Sequence, residues 1–229
     1  MCNEPVQIIH RADLPVGGFA GIVETQMVMN PTYWDKSEAS SAISHGLNDF
    51  VYLSIGYFKP HDGATLHPHD NIDIVSVVLN SDVGHKGTLG DGSVIHGLGV
   101  QVQRAGTGMQ HSEFNLNDTN ADFIQLWFKP PENDLIPDYQ NIKLVESGMT
   151  TVLGGQNDGT FHSNMICQVG YLETNESITT DKPFITLITS GSVMANGVLA
   201  RAGDLVSGNK LKLHVEAKAG LILIQDNQN

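Results

Sequence analysis

Leu66-His67-Pro68-His69-Asp70-Asn71-Ile72-Asp73-Ile74-Val75-Ser76-Val77-Val78-Leu79 opens a stretch that closes, some forty residues later, on Met109-Gln110-His111-Ser112-Glu113-Phe114-Asn115. Each end carries a triplet whose first and third residues are metal-ligand types: His67-Pro68-His69 and His111-Ser112-Glu113. In an extended strand, residues two apart project from the same face, so each triplet presents two donor groups side by side. A lone H-x-H in a polar turn is ordinarily a solvated pair, and the second triplet is what changes the reading. Between the triplets lie the strand-like run Ile72–Leu79, a glycine-rich region from Gly84 to Gly92 and further strand patterns. That is the spacing of antiparallel hairpins, which can return the two triplets to one place inside a barrel. The four residues His67, His69, His111 and Glu113 then form one metal site. Three imidazoles and a carboxylate suit a divalent transition metal, with iron, copper, nickel, manganese and zinc all compatible, and leave positions open for substrate or dioxygen.

Composition sets the setting for that site. With 229 residues, 40% of them hydrophobic, the chain can form one large or two small domains with ordinary cores. Its 24 glycines and low charged fraction of 16% fit an all-β protein with many tight turns. Twelve basic residues against twenty-five acidic ones give a formal charge of −13, which argues against nucleic acid and anionic membranes as partners. No apolar run approaches the roughly 18 residues of a membrane span, and Met1-Cys2-Asn3-Glu4-Pro5 lacks the character of an export signal, so a cytoplasmic location is expected. Asn117-Asp118-Thr119 and Asn175-Glu176-Ser177 are accordingly read as chance matches to the glycosylation pattern. The two cysteines imply no disulfide framework, and Cys167, within an apolar strand pattern, reads as a buried core thiol.

Along the chain, Ile22–Met29 and Val51–Phe58 read as strands, separated by a long loop, residues 30–48, with one short helical turn near 37–43. His85 and His96 fall in the hairpin region and are read as turn or strand-surface imidazoles outside the site. Ala105-Gly106-Thr107-Gly108 is a tight turn that delivers His111; no Gly-Lys-Ser/Thr follows, so it is not a phosphate loop. Phe123–Phe128 is read as a central strand apolar on both faces, and Lys129-Pro130-Pro131 ends it. After a connection reaching to about Gly148, short strand-like segments resume at 165–172, 184–189, 192–195, 198–200, 211–215 and 221–224, with Asn196-Gly197 a type I′ hairpin signal. His162 and His214 stand alone there, so this half is expected to hold no metal.

The ordered motifs resemble those of the pirin family of bicupins, most closely its bacterial pirin-like quercetin 2,3-dioxygenases. The resemblance is carried by His67-Pro68-His69 with Ile72–Val75, Gly84-His85-Lys86 with Leu89-Gly90-Asp91-Gly92, Ala105–Gly108 running into His111-Ser112-Glu113, and Gln125-Leu126-Trp127, Pro137 and Tyr139-Gln140. It implies an all-β chain of two cupin-type β-barrels: residues 1–140 as a metal-binding barrel holding one divalent metal, iron first, through His67, His69, His111 and Glu113, and residues 141–229 as a metal-free barrel. The implied activity is a metal-dependent dioxygenase that takes a small aromatic flavonol and O2, opens the heterocyclic ring and releases carbon monoxide, with Glu113 as general base. The alternative is a non-enzymatic, metal-binding regulatory protein whose metal reports redox state to a protein partner. Three departures from the family pattern, Asp73 in place of a glutamate, Gly97-Leu98-Gly99 in place of a Pro-Gly-acidic turn, and Asp70 where bacterial relatives are basic, bear on the polarity of the pocket and hence on the substrate.

Overall fold

The computed structural model describes residues 4–33, 42–90, 92–155 and 159–227. The helical turn expected near 37–43 falls largely outside these residues. In chain order the strands are β1 (Gln7–His10), β2 (Ile22–Met29), β3 (Phe50–Phe58), β4 (His67–His69), β5 (Asp73–Val78), β6 (Val83–Gly87), β7 (Val94–Ile95), β8 (Gly99–Arg104) and β9 (Met109–Asn115). They continue with β10 (Ala121–Phe128), β11 (Asp138–Lys143), β12 (Gly148–Leu153), β13 (Met165–Leu172), β14 (Ser177–Thr180), β15 (Phe184–Ala195), β16 (Val198–Arg201), β17 (Asp204–Gly208) and β18 (Leu211–Asp226). Among the described residues no helix is long and apolar enough to cross a membrane.

A six-stranded sheet of order β11-β8-β5-β10-β3-β2 and a four-stranded sheet of order β4-β9-β6-β7 build the first half. The second half is an eight-stranded sheet of order β1-β17-β15-β18-β13-β12, with β14 on β18 and β16 on β15. The chain begins in this second sheet, since β1 pairs with β17, while β11, which spans residue 140, pairs with β8 in the first half. This is the bicupin arrangement of two β-sheet cores expected from the sequence.

Period-two alternation explains how the halves meet. Along β5, Val75 and Val77 join a core that also contains Met165, Cys167, Leu187 and Ile224 of the second half, whereas Ile74, Ser76 and Val78 face the interior of the first. Cys167 is buried there, as expected. The same alternation corrects the reading of β10. Ile124, Leu126 and Phe128 face the second half, but Gln125 and Trp127 face inward and are only half-buried, so this strand is not apolar on both faces. The six-stranded sheet is covered outside by the second half, which leaves its inner face free to carry polar groups.

Two pairs of segments expected as separate strands in the second half are continuous: 184–189 with 192–195 as β15, and 211–215 with 221–224 as β18. Their pairing is interrupted by register shifts between Ile188 and Val193, where Gly191 adopts φ 72° and a Cβ would lie 2.1 Å from the Lys218 carbonyl. The chain bends there without ending the strand. Asn196 and Gly197 both take positive φ, 48° and 84°, as a type I′ turn requires.

Asp73, expected to bear on the pocket, instead points away from it. Its carboxylate is fully buried and accepts two hydrogen bonds from Arg104, at 2.9 Å from Nε and 2.6 Å from Nη2. Arg104 also donates to the His162 carbonyl at 2.7 Å and lies over the Phe161 ring, so the pair ties the first half to the second. Burial pushes the Asp73 carboxyl above its ordinary value, and the guanidinium offsets only part of that rise. Arg104→Met should cost about 3–5 kcal/mol, because it strands a buried carboxyl. Urea unfolding checks this, and adding Asp73→Leu to the same chain should recover a large part of the loss.

Candidate metal centre

The three-residue strand β4 brings the first triplet onto β9, with His67 opposite His111, Pro68 opposite Gln110 and His69 opposite Met109. Pro68 is tolerated because β4 is an edge strand. Direct cross-strand pairing puts the His67 and His111 rings on one face, with centroids 4.6 Å apart, and the two-residue step adds His69 at 4.8 Å and 4.9 Å from them. Just before β4, Gly63 permits the chain to close on β9: Ala64 N–H donates to the Glu113 carbonyl at 2.8 Å, and a Cβ at position 63 would lie 2.1 Å from that oxygen.

His67, His69 and His111 bring one ring nitrogen each to within 4.8 Å of one another. His67 Nδ1–H donates to the Thr65 carbonyl at 2.7 Å, which leaves its Nε2 lone pair facing inward. That nitrogen is 3.1 Å from His111 Nε2. Two nitrogens each about 2.0–2.1 Å from one metal ion would be separated by roughly 2.9–3.4 Å, so this pair already stands at ligand spacing. The donor set fits a divalent transition metal.

Glu113 lies on β9 and lines the same cavity as His67 and His69. One carboxylate oxygen accepts from Ser76 Oγ at 2.9 Å and the other from Gln125 Nε2 at 3.0 Å; Trp127 Nε1 in turn donates to Gln125 Oε1 at 3.0 Å. The carboxylate is thus oriented by β5 and β10 and retains lone pairs for a further partner. Trp127 also packs edge-on against His69, with centroids 5.2 Å apart.

His85 departs from its expected surface position. It is 1% exposed, sits opposite Glu113 in the β6–β9 register, and its ring lies 5.5 Å from that of His111. Its nitrogens face the Gln103 side-chain oxygen and the Gly90 carbonyl, both at 3.2 Å. His96, by contrast, is exposed beside Asp82, as expected. Ser76, Gln103 and Gln125 carry a signal that the sequence reading passed over: single polar residues at alternate positions of otherwise apolar strands mark the inner face of a barrel.

Burial pushes His69 down to about 4 and His111 down to about 3, with neighbouring imidazoles adding to both. Both are therefore neutral at pH 7, the form a metal needs. Because the unfolded chain takes up these protons near the ordinary pKa of about 6.5, metal-free protein should lose stability as pH falls from about 6.5 towards 4. A His69→Leu/His111→Leu variant, unfolded in urea without metal across that range, should lack this part of the slope.

Three histidines able to hold a metal ion, set in the first of two β-sheet cores, define a cupin of the double-barrel class with a metal-binding-capable site. Residues 35–128 match the Pirin family model, and the chain has the pirin-family bicupin fold, related at family level to the bacterial pirin-like quercetin 2,3-dioxygenases. It is 25% identical over 203 residues to the quercetin 2,3-dioxygenase of Escherichia coli strain K12, covering 83% of this chain and 85% of that one. In structure it resembles the bacterial pirin YhhW of Escherichia coli in complex with nickel(II), with a TM-score of 0.84 at 20% identity over 96% of this chain and 98% of that one. It also resembles a quercetin 2,3-dioxygenase from Acinetobacter baumannii, with a TM-score of 0.72 at 17% identity over 96% and 85% of the two chains.

Proposed function

We propose that this chain is a metal-dependent dioxygenase acting on a flavonol or a similar aromatic with adjacent hydroxyl and carbonyl groups. The observation that carries the reading is the cavity itself: one space is lined by His67, His69 and Glu113 together with the aromatic rings of Phe123 and Trp127. In this reading His67, His69, His111 and Glu113 hold one divalent metal, iron first, with copper, nickel, manganese and zinc as alternatives. The ligand types and the nickel complex of the related bacterial pirin support a divalent ion. Such an ion supplies Lewis acidity that lowers the pKa of a coordinated hydroxyl.

The chain's own residues supply the rest. Phe123 and Trp127 offer flat apolar surface to an aromatic ring and exclude water. Glu113 accepts the substrate hydroxyl proton, and Ser76 and Gln125, which donate to its two oxygens, keep the carboxylate aimed while it does so. The electron-rich aromatic oxyanion that remains reacts with dioxygen; the ring opens, both oxygen atoms enter the products and one ring carbon leaves as carbon monoxide. The metal-holding unit lies within residues 1–140, and residues 141–229 act as a packing unit onto which β1 folds back. The test is oxygen consumption together with carbon monoxide release by metal-loaded protein supplied with flavonols. Silence with all of them would move the redox-responsive regulatory reading ahead.

A further inference from the structure

The cavity beside the histidines measures about 210 Å³. That is below the roughly 300 Å³ at which pockets begin to accept drug-sized ligands. A second cavity of about 170 Å³, walled by Pro15, Val16 and Ile43, shares two residues with it, Glu24 and Gln26 of β2. The volumes of the two spaces together exceed that threshold, and Glu24 lines both of them.

Glu24 is unusual for a carboxylate so placed. It is only 7% exposed, and its hydrogen-bond partners are neutral. The Tyr52 hydroxyl has a single proton to share between the two carboxylate oxygens, at 3.2 and 3.3 Å, and Gln26 Nε2 reaches one of them at a long 3.4 Å. A carboxylate offers about four acceptor sites, so capacity remains on the side facing the cavities. Its position is well fixed: the Glu24 backbone is bonded to Gly17 on one side and paired with Gly56 of β3 on the other. Tyr52, which holds the side chain, packs against Trp127 with centroids 4.8 Å apart and ring planes tilted by 35°, and Trp127 packs edge-on against His69. An aromatic wall therefore runs from the histidine cluster to a buried carboxylate.

We propose that Glu24, positioned by Tyr52, is a specificity-determining residue that accepts a hydrogen bond from a phenolic hydroxyl at the end of the substrate remote from the metal. The proposal rests on the flavonol reading of the same site and narrows it, from any 3-hydroxy-4-carbonyl aromatic to one that bears a further hydroxyl. Glu113 and Glu24 would then engage opposite ends of one ligand, the first in proton transfer and the second in recognition.

The test uses two ligands that share the metal-binding hydroxyl and carbonyl: quercetin, with further hydroxyls, and 3-hydroxyflavone, without them. Both are titrated by calorimetry, under nitrogen to prevent turnover, into nickel-loaded full-length wild-type, Glu24→Gln and Tyr52→Phe proteins of matched metal content and melting temperature. Wild type should prefer quercetin, and Glu24→Gln, which keeps the size but removes the charge, should lower the quercetin-to-3-hydroxyflavone affinity ratio about ten- to hundredfold. Tyr52→Phe should lower it less. A ratio that survives Glu24→Gln, or a wild type that binds 3-hydroxyflavone as well as quercetin, overturns the role of Glu24 and leaves the flavonol reading standing. Wild type that binds neither ligand overturns the flavonol reading and this proposal with it.

Discussion

Protein carrying His67→Ala and His111→Ala together should purify with less than about a tenth of the divalent metal bound by wild type, measured by elemental analysis without chelators or a histidine tag. These two residues are the sharpest choice because they face each other across β4 and β9 with Nε2 atoms 3.1 Å apart. His69→Ala alone should lower occupancy less, since two imidazoles would remain and excess metal can partly compensate for one lost ligand. The fold should survive the double change, because neither residue belongs to the core that joins the two halves or to the cores within the first half. Circular dichroism on the same sample checks that point. Stoichiometric metal retained by the double variant would place the ion somewhere other than this cluster.

How much of this centre could be read beforehand follows from how far each part depends on distant contacts. That His67 and His69 share a face is local, fixed by the two-residue step of a strand, and needs no knowledge of the fold. That His67 stands opposite His111 is a matter of register across an intervening meander, which the hairpin spacing made reasonable without specifying the partner residue. Asp73 shows where local reading fails. It follows the first triplet closely in sequence, yet its side chain lies on the opposite face of the sheet from Ser76, where it meets Arg104 and the second half of the chain. His85 fails in the other direction: a histidine in a glycine-rich hairpin reads as exposed, and only the pairing of β6 with β9 buries it beside His111. Glu24 and Tyr52 gave no motif at all, because their meeting is a cross-strand event between β2 and β3 at the sheet edge.

Glu113→Gln should reduce flavonol turnover by about two to four orders of magnitude in metal-loaded protein, the range expected when a positioned general base is removed. The substitution keeps the side-chain length and one oxygen but removes the basic charge. It also disturbs the residue's surroundings in a definite way. Ser76 and Gln125 both donate to the carboxylate, so an amide at position 113 would set its own NH2 group against one of two donors and force the Ser76 hydroxyl or the Gln125 amide to turn. Turning Gln125 would in turn break its bond from Trp127, the residue that packs on His69. Two causes of lost activity must therefore be separated, loss of the base and loss of the arrangement around it. Ser76→Ala makes the separation: it removes one donor without touching the carboxylate, and should lower turnover far less than Glu113→Gln if proton transfer is what matters. Metal content measured in every sample removes the third cause, since a weakened ligand would imitate a missing base. If Glu113→Gln retains metal and turns over within about threefold of wild type, well short of the range for general-base loss, the proton is taken by another group.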